Sequence, residues 1–170
     1  MHTTHDPNRR FTLDASPEGH PIQALMRDHQ LVRKLAGHYL DSTSPEVRKQ
    51  AAAQLVQAVH NLERLKETVF YPGVRRVEPN LVAHLEEESL DVDDVLAALQ
   101  GSGLDAAHTD ALVRALIAAV LAHMRDDETT LFPLLQHAAI DLMPVGLEMR
   151  AFEANLVHGQ ARQSARVAGR

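Results

Sequence analysis

The chain has 170 residues and a net charge of −6, with 45% apolar residues but only 4% aromatics and no cysteine or tryptophan. That length suits one domain with a sizeable core, and the missing cysteines exclude disulfides and thiolate metal sites, so any metal would be held by His, Asp and Glu, donors suited to iron, manganese or zinc. The acidic balance, with no basic stripe, no membrane-length apolar run and no signal core, argues against nucleic acid and membrane as partners and makes the cytoplasm the expected location.

Ala and Leu dominate the apolar residues, which favours closely packed helices over sheet. Residues 1–18 are polar, contain Pro7 and Pro17 and show no apolar period, so a loosely ordered arm is expected. A first helix starts near Pro21, carries Ile22, Leu25, Met26, His29, Val32 and Ala36 on one face, and ends near Leu40. Ser44 as N-cap and Pro45 at the first position open a second helix, which reaches about Phe70 before Pro72-Gly73 disturbs it. Its apolar stripe includes Leu55, Val59, Leu62 and Val69, and Lys66 falls on it. Pro79-Asn80 starts a third helix with Val82, Leu85, Ser89, Val92 and Leu96 inward, and Gly101-Ser102-Gly103 stops it. A fourth helix is expected over about 109–137, with Leu116, Val120, His123, Asp127 and Leu131 on one face. A short fifth helix, about 145–160, completes the chain, with a fraying polar tail over 159–170. Short connections between long helices predict an all-α, up-down-up-down four-helix bundle spanning 19–158, with the short helix added at its C-terminus.

Two segments of this plan echo one another. When Pro72 is set on Pro133, Glu67 falls on Glu128, Phe70-Tyr71 on Leu131-Phe132, Lys66 on Asp127 and Leu62 on His123. The echo suggests a pseudo-twofold repeat of helix pairs whose two copies differ in chemistry. His123 and Asp127 share a face four residues apart, and Glu128 lies beside it, some 140° round from His123. A histidine and carboxylates projecting inward from one helix is how bundles hold di-iron and di-manganese centres. His29 adds a histidine from the apolar stripe of helix one.

In frame the chain resembles the hemerythrins and hemerythrin-like (HHE, cation-binding) domains over roughly residues 20–157. The matching pieces are Leu25 to Val32, Glu67 to Pro72, Glu87 to Leu96, His123 to Pro133 and Gly146 to Arg150, in that order. The resemblance implies a four-helix bundle whose inward histidines and carboxylates hold two irons, in proteins that bind oxygen or sense oxygen, iron or oxidants. Residue by residue it implies His29, His123 and Glu128 as ligands, with Glu67 and Asp127 as further candidates. It also implies a histidine where this chain has Leu62, a bridging carboxylate where it has Lys66, and a histidine where it has Ser89.

His60 with Glu63 and His84 with Glu88 are secondary candidates for completing the site. Stripe geometry instead sends His60 and Glu63 toward solvent or a neighbouring subunit and makes His84–Glu88 a surface pair. An ammonium has no lone pair, is protonated at neutral pH and repels a divalent metal, so Lys66 can replace metal charge as a counter-ion for inward carboxylates. Two readings of function follow. One is a sensor, regulatory or binding domain with a degenerate site, metal-free, with an unidentified protein partner or a second copy of itself. The other is an iron-binding oxygen or iron sensor, mono- or dinuclear, using His29, Glu67, His123 and Glu128. No catalytic residue is assigned; an enzyme would need an open position on a redox metal.

Overall fold

A computed structural model describes residues 19–101 and 106–169. Among them every regular element is helical. The first helix, α1 (Pro21–Asp41), starts where expected, with Pro21 at its first position and His20 Nδ1 accepting from the Ile22 amide at 3.3 Å. The second, α2, runs Pro45–Leu65, continues through a π turn (Lys66–Phe70) and ends in a last turn (Tyr71–Val74). Pro79–Gln100 forms α3. The fourth helix, α4, has the same build as α2: Ala106–Asp126, a π turn (Asp127–Leu131), then Phe132–His137. The fifth helix, α5, spans Met143–Ala168.

The two π turns occupy matching positions of the echo, and each explains why a proline follows without ending the helix. The amides of Tyr71 and Phe132 reach back five residues, to the carbonyls of Lys66 and Asp127. A proline one position later needs no amide partner, and the wider turn relieves the clash between its ring and the preceding carbonyl. Pro72 was expected to disturb its helix, but that helix continues to Val74; the fourth helix runs through Pro133 to His137, the end expected for it.

Packing is closest between α1 and α2 and between α3 and α4, and α2–α3 and α1–α4 contacts complete the up-down-up-down bundle. Its core holds Leu25, Val32, Leu55, Val59, Val82, Leu85, Val92, Leu116, Val120 and Leu131, together with Phe70, Tyr71 and Phe132. Tyr39, near the end of α1, donates to Asp110 Oδ1 at 2.6 Å and so ties that end to α4. Helix α4 corrects one expectation: residues Ala107–His137 are long and apolar enough to span a membrane by length and composition. Its apolar face is the one packed into the bundle, and that face also carries the buried His123 and Asp127.

The fifth helix differs most from expectation, because it continues to Ala168 where a tail was expected from about 159. Ala, Gln and Arg are good helix formers, so polarity alone does not end a helix there. It lies over α1 and α2, anchored by close approaches at its start. A Cβ on Gly146 would run into the Gly19 carbonyl oxygen, and one on Gly73 would sit 2.9 Å from Val145 Cγ2. Gly146→Ala is therefore expected to destabilise the protein by about 1–3 kcal/mol in urea denaturation. An unchanged midpoint would show that α5 is not seated this way.

Candidate metal centre

The centre of the bundle is polar, and it is organised by Lys66. This side chain is 0% exposed. Its Nζ lies 2.9 Å from Asp127 Oδ2 on α4 and 3.1 Å from Glu63 Oε1 one turn back on α2. The Tyr71 ring also lies beneath it, with Nζ 5.6 Å from the centroid. Burial disfavours the ammonium, but Asp127 and then Glu63 outweigh that penalty and raise Lys66 above its ordinary value. Burial likewise works against the Asp127 carboxylate, yet the Lys66 charge, aided by the Tyr71 hydrogen bond, holds it below its usual range. For Glu63 burial wins and its value rises. Asp127 is thus the principal counter-ion and Glu63 the weaker one.

Around this pair the polar contacts continue on both sides. The Tyr71 hydroxyl donates to Asp127 Oδ1 at 2.7 Å and lies 2.9 Å from His123 Nε2. Ser89 Oγ is 3.2 Å from the same nitrogen. His123 Nδ1 sits 3.1 Å from Glu88 Oε2, whose other oxygen lies 3.2 Å from the exposed His84. Burial and then the Lys66 charge hold His123 down to about 3, so its imidazole is neutral. On the other side His29 Nδ1 is 2.6 Å from Glu128 Oε1, and Arg33 donates to both oxygens of that carboxylate at 2.8 and 2.9 Å. His29 stacks on Phe132 at 5.7 Å between centroids.

The structure brings some of the expected residues together at the centre and turns others away from it. His29, His123, Asp127, Lys66 and Ser89 converge, as their stripes require. Glu63, expected at the surface, is wholly buried, because the inward face of α2 passes between positions 62 and 63. Leu62 is buried too, but toward the seam of α1, α2 and α5 beside Asp28 and Leu65. Glu128 lies at the partly exposed seam between α1 and α4 and leaves the centre to Asp127. Glu67 is not in the centre: it faces α3, where burial and the neighbouring Asp93 push it up to about 7. His60 lines a groove between α2 and α5, and the His84–Glu88 surface pair forms as expected. Tyr71 and Arg33 went unassigned. The signals were present in the core stripe of α2 and in the four-residue spacing of His29 and Arg33, but neither names the partner on another helix.

The profile of the Hemerythrin HHE cation binding domain matches residues 20–135. The chain belongs to that family. Among solved structures, a Hemerythrin HHE cation binding domain-containing protein from Mycobacterium kansasii has a TM-score of 0.68 at 19% identity, covering 89% of this chain and 94% of that one. At that identity the likeness concerns the fold. No curated protein matches at a significant level.

In this hemerythrin domain a cation stands among the inward candidate donors. Among the described residues, no three His, Asp or Glu side chains form a group suited to a metal ion. At the middle of the inward carboxylates stands an ammonium, which donates hydrogen bonds, offers no lone pair and repels cations. His29 Nε2, Glu63 Oε2 and Asp127 Oδ2 are buried without hydrogen-bond partners, but Lys66 already lies against both carboxylates.

Lys66→Met would leave Asp127 and Glu63 buried without a cation and should cost about 3–5 kcal/mol in chemical denaturation. Adding Glu63→Gln and Asp127→Asn should recover much of it; a loss under about 1 kcal/mol from the single change would refute the counter-ion role. For Glu67 the folded value near 7 stands above the ordinary carboxylate value of about 4.3, so the folded state binds the proton more tightly. Stability from this group then falls as pH rises between the two values. Relative to the parent, Glu67→Gln should gain stability from about pH 4 to about pH 8, and a pH-independent difference would reject the assignment.

Proposed function

We propose that this hemerythrin-like domain is a binding or regulatory module without a di-iron centre, in which the Lys66 ammonium takes the place of metal charge. The observation that carries this reading is the position of Lys66 Nζ, fully enclosed and 2.9 Å from Asp127 Oδ2 and 3.1 Å from Glu63 Oε1. Leu62 and Ser89 support it, since an apolar side chain and a hydroxyl stand where the family resemblance implies histidines. The losses are consistent with one another: without metal, inward carboxylates need a cation, and with a fixed cation they no longer need metal. A fold that keeps its bundle while giving up its metal keeps a surface for partners, hence the regulatory role.

A second reading is a mononuclear iron or oxygen sensor. What favours it is the set of buried central atoms without a hydrogen bond, His29 Nε2, Glu63 Oε2 and Asp127 Oδ2, the last of them in the ion pair with Lys66. It requires Lys66 to yield its place, which the two carboxylates oppose.

One measurement separates the readings. Protein expressed with iron and purified anaerobically should carry far less than one iron per chain and show no oxo-bridged absorption band. Two irons per chain would sink the proposal, and one iron, lost in His123→Ala, would establish the sensor instead. The combined change Glu63→His, Lys66→Glu and Ser89→His, at positions that line the centre, should create iron binding in a folded protein. Ser89 already touches His123, and Glu63 already meets Lys66.

A further inference from the structure

The outer face of α3 and the end of α5 carry opposite, unanswered charge. Between Pro79 and Gln100 the sequence has six acidic residues and no Lys or Arg; Arg75 answers Glu86, and His84 and His123 meet Glu88, which leaves the outermost carboxylates unpaired. Glu87, Asp91 and Asp94 are exposed at positions one and two turns apart, and among the described residues none of them has an ion pair or hydrogen bond. In their midst Leu90 is 60% exposed, an apolar side chain framed by carboxylates. Leu90 and Glu87 also line a shallow groove that α3 forms with α2 at Glu67.

The end of α5 is the complement. From residue 157 onward the sequence contains no Asp or Glu and has arginines at 162, 166 and 170. Arg162 and Arg166 are exposed one turn apart, and neither has a described partner. Beside them Val167 is 79% exposed. The helix from 157 to Ala168 is roughly 18 Å long at 1.5 Å per residue, enough to lie along three turns of a neighbouring helix. This segment, with no acidic residue of its own, belongs to a chain whose net charge is −6.

We propose that the end of α5 docks on the acidic face of α3 in a second copy of this chain, with Arg162 and Arg166 against Glu87, Asp91 and Asp94, and Val167 against Leu90. A twofold arrangement forms this contact twice, because each copy offers one basic helix end and one acidic face. Such a contact is steered and held by exposed charges, so salt weakens it: the Debye length is about 8 Å at physiological ionic strength. All these residues lie on outer surfaces, so the contact is independent of the Lys66 centre and of whether that centre binds metal.

Sedimentation or light scattering of the full chain, over a concentration series at low and high salt, tests the proposal. The expected result is a species with the mass of two chains that dissociates as salt rises. Arg162→Glu with Arg166→Glu should weaken it by about tenfold or more, as should Glu87→Arg with Asp91→Arg. All four changes in one chain should restore it. Because the positions are exposed, unchanged helical circular dichroism is expected and confirms folding. A monomer at every concentration, or a dimer indifferent to both reversals, overturns the proposal.

Discussion

A fully enclosed ammonium sets the terms for everything near the middle of this bundle. Removing a charge from water costs several kcal/mol even after the protein relaxes, so Lys66 persists there only because carboxylates meet it from two helices. Asp127 and Glu63 have the same need in reverse. The contact therefore joins α2 to α4 across the diagonal of the bundle, which apolar packing alone would leave unspecific. Tyr71 completes it by donating to the far oxygen of Asp127, and so the counter-ion is held from both sides.

The backbone helps to build this contact. The π turns begin at Lys66 and Asp127, the same two residues that form the ion pair. An extra residue in a turn rotates the inward face, and it also lets Pro72 and Pro133 sit within continuous helices. The pseudo-twofold echo is thus more than a likeness of strings: equivalent positions on the two helices face each other and carry opposite charge. In a metal-binding member the inward groups would be donors that share a cation. Here one of the equivalent positions is itself the cation.

From that centre, polar contacts lead outward along two routes, through His123 and Glu88 to His84, and through His29 to Glu128 and Arg33. Both histidines are depressed by burial and by the Lys66 charge, so they act as neutral hydrogen-bonding groups and not as additional cations. Carboxylates that lack a cation behave differently. Glu67 beside Asp93 and Glu88 beside Asp126 are pushed up to about 7 by burial and by their acidic neighbours. The domain resolves its excess of acid by pairing in the core and by shared protons nearer the surface.

Much of the fold was legible from the sequence. Apolar stripes, proline starts and the glycine stop after α3 located the helices, since these signals act within a few residues of one another. The family frame, the inward histidines and the place of Lys66 on a core stripe were legible for the same reason. Tertiary structure decided what depends on rotation by less than one residue. Neighbours on a helix lie about 100° apart, so the sequence did not settle whether Leu62 or Glu63, and Asp127 or Glu128, faces the centre. The π turns set that rotation, and nothing local in composition announces them. Partners supplied by other helices, such as Tyr71 for Asp127 and Arg33 for Glu128, likewise emerged only once the four helices were packed. The sequence alone determined that a lysine stands on the inward stripe of this bundle, because residue identity and stripe suffice for that. Only the packed structure decided which carboxylates answer it, because a buried charge takes as counter-ion whichever acid the packing brings within reach.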